Sequence, residues 1–133
     1  MSRSKKPLVK NMTTLRQVIL FEGLQKGGVS PSDIDAILEL HDNYLILFEV
    51  KKVGVEIPKG QRNMLETIVD VWGDSGRIGL VVKATHNVKN TDDILLKDCE
   101  VAEVYYKDSW KIIGGINVKE FLDNFYKKNN IKL

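Results

Sequence analysis

A chain of 133 residues, 43% hydrophobic and 29% charged, is long enough to bury a real core and has the balance of one soluble globular domain. No apolar run approaches the roughly 18 residues of a membrane span, and the N-terminus lacks a signal-like apolar stretch, so a cytoplasmic protein with no membrane partner is expected. A net charge of +2 does not by itself announce a nucleic-acid partner, while the lone Cys99 excludes an internal disulfide and any zinc cluster of the Cys/His type.

Residues 1–11 read as a flexible basic arm carrying Arg3, Lys5, Lys6 and Lys10, and residues 12–133 as one domain. A helix is predicted from Thr14, whose spacing to Gln17 matches a capping box, to the pair Gly27 and Gly28, where a left-handed cap is easy. Leu15, Val18 and Glu22 fall on one face of that helix. Glu22 is thus either a candidate acid of a site or a helix-edge carboxylate reaching water beside Gln25 and Lys26.

Two strands follow, 33–40 and 44–52, joined by a turn of His41, Asp42 and Asn43. Each is apolar, yet each carries a carboxylate that a core strand normally excludes, Asp35 in the first and Glu49 in the second. Alternation along a strand puts Glu49 and Lys51 on one face and Tyr44, Ile46, Phe48 and Val50 on the other. A hairpin centred on Asp42 sets Leu40 opposite Tyr44, Leu38 opposite Ile46 and Ala36 opposite Phe48. The same register sets Asp35 opposite Glu49, and Asp33 opposite Lys51. Directly opposed Cβ atoms lie roughly 4.5–5.5 Å apart, where like charges repel. Two carboxylates that close, with an ammonium beside them, form the beginnings of a divalent-cation site.

Pro58 sits where a helix can start, since its missing N–H would be unpaired in the first turn. Gln61, Leu65, Ile68 and Trp72 then mark one face, with Met64 beside them, so Gln61 is expected on the buried side near the helix N-terminus. Lys59 and Arg62 flank it, and the three together suit a phosphate at a helix N-terminus. A buried strand is predicted at 77–84, then a polar loop holding His86, which, like His41 in the hairpin turn, reads as ordinary surface. A hairpin is expected at 101–107 and 110–113 across Asp108 and Ser109. A last helix is expected from Asn117 and Glu120, with Val118, Phe121, Leu122 and Phe125 as its stripe. Tyr105, Tyr106 and Trp110 are candidates for base stacking, for core or for a dimer contact.

The sum is an α/β sandwich, a mixed β-sheet flanked by helices. Its acidic cluster suits Mg²⁺ or Mn²⁺, hard cations that bind carboxylate and phosphate oxygens together and lower the pKa of bound water. With a lysine on the same face, the implied chemistry is metal-assisted hydrolysis of a phosphodiester.

Glu22, Asp35, the triplet Glu49-Val50-Lys51 and Gln61, in that order and on those elements, resemble the PD-(D/E)XK nuclease superfamily, especially its small Holliday junction resolvases and virus-type replication-repair nucleases. The resemblance spans about residues 15–72. It implies a restriction-endonuclease-like fold and a Mg²⁺- or Mn²⁺-dependent endonuclease acting on DNA, with branched DNA the substrate and a homodimer the assembly. It also implies that Asp35, Glu49 and the Val50 carbonyl bind metal, that Lys51 handles the attacking water or the transition state, and that Glu22 and Gln61 support the site. Lys52, Lys59 and Arg62 would meet DNA phosphates. The family's Pro-Asp pair is absent as such: Pro31 is followed by Ser32, Asp33, Ile34 and Asp35, and Asp33 shares a strand face with Asp35. Asp35 is the favoured ligand, with Asp33 the alternative. An exonuclease or nicking enzyme on the same site, and a non-catalytic nucleic-acid-binding subunit, are the competing functions.

Overall fold

The computed structural model describes residues 19–28 and 31–133. The chain divides into two units, Met1–Ser32 and Asp33–Leu133.

Within the first unit, residues 19–28 are not helical. This corrects the helix expected up to Gly27. The backbone turns at Glu22 and Gly23, with Gly23 at φ +84° and the Leu24 N–H donating to Phe21 O at 3.2 Å. Ile19, Leu20, Phe21 and Leu24 are all exposed, so no packed face compensates the cost of nucleating a helix there. The expected helix start at Thr14, Leu15 and Val18, and the basic arm 1–11, lie outside the described residues.

The second unit is an α/β fold built on a five-stranded mixed sheet. Its strands are β1 (Ala36–Leu40), β2 (Tyr44–Lys52), β3 (Ile78–His86), β4 (Glu100–Tyr106) and β5 (Ser109–Ile112), side by side in sequence order. The β2–β3 pair is parallel and the other three are antiparallel. Only the parallel pair needs a long crossover, and helix α1 (Lys59–Gly73) supplies it. Helix α2 (Val118–Lys128) follows the sheet. The two helices cover opposite faces: Leu65 and Val69 of α1 pack with Leu45, Leu47, Val81 and Tyr105, while Val118 of α2 packs with Ile46, Phe48, Val82 and Val101. Covered on both sides, β2 and β3 read as nearly continuous apolar runs.

The first hairpin has the register that alternation predicts, with Ala36 paired to Phe48, Leu38 to Ile46 and Leu40 to Tyr44. His41 and Asp42 take φ of 54° and 58°, the twist a tight hairpin turn needs. The second hairpin turns one residue earlier than expected, at Lys107 and Asp108, with φ of 47° and 68°. Placing the turn there puts Trp110 opposite Tyr105, where both enter the core on the α1 side. β3 runs through His86, two residues further than predicted.

Gly79 permits the close seating of α1 on β3, since a Cβ there would lie 2.8 Å from Val69 O. The α2 start carries the predicted capping box: Asn117 Oδ1 accepts from Glu120 N–H at 2.8 Å and Glu120 Oε1 from Asn117 N–H at 3.3 Å. Two of the three aromatic candidates are interior. Tyr105 OH donates to the Asp70 carboxylate at 2.9 and 3.0 Å, and Trp110 Nε1 donates to Glu66 Oε2 at 2.6 Å. Tyr106 alone of the three is exposed. No helix among the described residues is long and apolar enough to cross a membrane.

Candidate active site

The candidate site lies on the α1 face of the sheet, near the C-terminal ends of parallel β2 and β3 and the start of α1. Glu49 follows Leu45 and Leu47 on that face of β2, and alternation brings Lys51 beside it. One residue beyond the Ala36–Phe48 pair, Asp35 stands across from Glu49. On the other side Glu49 pairs with Lys83 of β3, and Lys83 in turn with Glu103 of β4. A row of four charged side chains, Asp35, Glu49, Lys83 and Glu103, thus crosses four adjacent segments of the sheet on one face.

Glu49 is only 2% exposed. Its Oε2 lies 3.4 Å from Lys51 Nζ, while Oε1 is buried with no hydrogen-bond partner among the described residues. Burial, and then the negative charge of Asp35, push its carboxyl above the usual carboxylate range, and Lys51 only partly opposes them. Asp33 adds the smallest upward push. Asp35 Oδ2 accepts the Val50 N–H at 2.7 Å. β1 begins one residue later, at Ala36, and the Asp35 carboxylate stands in for a main-chain acceptor, fixing the acid against β2.

Gln61 Nε2 reaches Asp33 O at 3.5 Å, tying the first turn of α1 to the chain just ahead of Asp35. Arg62 is held within the protein: its guanidinium stacks 4.1 Å above the Trp110 ring and lies 3.8 Å from Glu103 and 3.9 Å from Glu56. Lys59 is exposed in the first turn of α1. Lys52 alternates to the α2 face, away from Glu49. Val50 contributes main chain at the site while its side chain packs on that same opposite face. Glu22 belongs to the other unit, in an exposed turn. His86 Nδ1 accepts the Val88 N–H at 3.0 Å, and His41 lies at the far turn of the hairpin.

Sequence reasoning missed Lys83, Glu103 and Glu56. Lys83 is 4% exposed, with Nζ 3.8 Å from both Glu56 and Glu103. The signal was present: a lysine inside the run Leu80-Val81-Val82-Lys83-Ala84 is the same anomaly as Glu49, since a buried charge requires an opposite one.

A buried, unpartnered carboxylate oxygen beside a second carboxylate fits a hard divalent cation, which would relieve both the lost solvation and the repulsion. Among the described residues no group of three or more His, Cys, Asp or Glu converges to hold a metal. Asp35, Glu49 and main-chain oxygen from Val50 would be the protein's donors, a sparse set of the kind Mg²⁺ completes with water. No family model, curated protein or solved structure matches this chain. The functional reading of the chain therefore rests on this geometry and on the sequence pattern.

Proposed function

We propose that the chain is a Mg²⁺- or Mn²⁺-dependent DNA endonuclease of PD-(D/E)XK type with a restriction-endonuclease-like fold. The observation that carries this reading is the buried Glu49 Oε1, without a hydrogen-bond partner among the described residues, beside Asp35 and on the same strand face as Lys51. A divalent ion bound there would lower the pKa of water and neutralise charge developing on a phosphodiester. Asp35 and Glu49 hold that ion. Lys51 stands where it can orient or deprotonate the attacking water and stabilise the transition state. Gln61 steadies the approach of Asp33 and Asp35, and exposed Lys59 contacts a phosphate at the start of α1. Branched DNA and a homodimer, two-fold like a four-way junction, complete the proposal.

The test is cleavage of supercoiled plasmid and of a synthetic four-way junction, in Mg²⁺ and in EDTA, by the wild-type chain and by Glu49→Ala and Lys51→Ala. Wild type should cut in Mg²⁺ only, and both variants should bind DNA without cutting. A wild-type chain that binds DNA and cuts no substrate with either Mg²⁺ or Mn²⁺ refutes the enzyme reading in favour of a non-catalytic binding subunit.

A further inference from the structure

On the face of the sheet opposite Glu49, a groove of about 590 Å³ opens between α2 and the β4–β5 hairpin. Its floor is apolar, made by Leu80 and Val104 of the sheet and by Phe121 and Phe125 of α2. Its rim carries Lys107, Lys111 and Lys128, and its remaining polar side chains are neutral: one tyrosine, one serine and two asparagines. Among the described residues that line it there is no aspartate or glutamate. In a chain with nearly equal numbers of acids and bases, three cations around an apolar hollow with no acid among its described lining residues amount to a local excess of positive potential.

The volume lies inside the range of roughly 300–1,000 Å³ typical of small-ligand pockets, whose walls are mostly apolar with a few converging polar groups. An apolar floor calls for an apolar occupant, and the lysine rim calls for an anionic head. Lysine stems also lie along apolar surface while their ammonium groups stay wet, so the rim favours an anion at the mouth of the groove. We propose that this groove binds a single-chain anionic amphiphile of the alkyl carboxylate class, with the chain on Leu80, Val104 and Phe121 and the carboxylate among the three lysines. This site stands on the other face of the sheet and does not depend on the nuclease reading.

The probe is decanoate, titrated calorimetrically into the wild-type chain of 133 residues, with decanol as the tail-only control and butyrate as the head-only control. Decanoate should bind at one saturable site per chain, with decanol and butyrate each markedly weaker. Lys111→Glu and Lys128→Glu should each weaken decanoate about fivefold, as expected for one partly exposed ion pair. They should leave decanol unchanged. Val104→Trp, which fills the floor, should abolish binding. Because that core variant is at risk of misfolding, the surface Lys111→Glu and Lys128→Glu variants, checked by thermal melting, decide the matter independently. Equal binding of decanoate and decanol, insensitivity to both lysine reversals, or no saturable binding overturns the proposal. So does sedimentation showing a dimer that Lys111→Glu dissociates, because the groove would then be an interface between copies of this chain.

Discussion

Replacing Glu49 with glutamine separates the two consequences of burying an acid without a full set of partners. The glutamine keeps the shape and removes the charge. In the metal-free wild type, Glu49 is 2% exposed, one of its oxygens has no partner among the described residues, and Asp35 repels it. An unsatisfied buried polar group costs about 1–3 kcal/mol, more when charged. Lys51 at 3.4 Å returns only part of this, about 0.2–1 kcal/mol, because its side chain is 23% exposed and the attraction is screened. Glu49→Gln should therefore stabilise the protein in EDTA at neutral pH by about 1–2 kcal/mol, a rise in Tm of about 4–8 °C for a domain of this size. The pH dependence has a defined sign. The folded-state pKa of Glu49 is raised, so its protonated form is the one the fold favours. Below about pH 4, near the unfolded value, wild type and variant should differ little. The advantage of the variant should open as pH rises through the raised folded pKa and then level off. Added Mn²⁺ should reverse the order, raising wild-type stability by about 2.7 kcal/mol at a hundred times its Kd and leaving Glu49→Gln unmoved. Thermal melts from pH 4 to 8, with EDTA or Mn²⁺, read all of this. A variant less stable than wild type in EDTA at neutral pH would refute the argument, since Glu49 would then be a satisfied ion-pair partner of Lys51.

Mn²⁺ titration by calorimetry should show binding lost in Asp35→Asn and retained within a few-fold in Asp33→Asn; the opposite result would make Asp33 the ligand. Gly79→Ala forces a Cβ to within 2.8 Å of Val69 O, and the overpacking should lower stability by about 1–3 kcal/mol in chemical denaturation. Tyr105→Phe leaves Asp70 without its hydroxyl partner and should cost about 1–3 kcal/mol at pH 7. Burial, and then the Asp70 carboxylate, push the Tyr105 hydroxyl up to about 12. The wild type should therefore lose stability between about pH 10, where an unfolded tyrosine ionises, and about pH 12, and alkaline melts of Tyr105→Phe should lack that component.

The central hairpin was legible because a strand's period of two and a turn of fixed length leave little freedom. With Asp42 at the centre, the pairs from Ala36–Phe48 to Leu40–Tyr44 follow, and Asp35 comes one residue beyond them, across from Glu49. The caps of α2 were legible for the same reason, since Asn117 and Glu120 satisfy each other within four residues. What the sequence hid were partners set by tertiary pairing. Lys83 meets Glu103 only because β3 and β4 align, and Arg62 meets Trp110 only because α1 and the Trp110 ring lie on the same face of the sheet. Residues 19–28 show the converse: a helix is expected through them, but local spacing stabilises a helix only with burial to support it, and Ile19, Leu20 and Leu24 are exposed.

The Asp35–Val50 hydrogen bond has a meaning for the solution behaviour of the chain as well as for the site. β1 begins only at Ala36, so among the described residues of this unit the last residues of β2 have no paired strand on that side and offer the kind of open sheet edge that templates aggregation. Asp35 closes that edge by placing a carboxylate on the Val50 N–H, where an incoming strand would otherwise dock. One oxygen, Oδ2, does this, while the carboxylate's charge still acts on Glu49. Loss of Asp35 therefore exposes an adhesive edge whatever it does to chemistry, and its variants should be compared as monomers, after gel filtration, before their activity is judged.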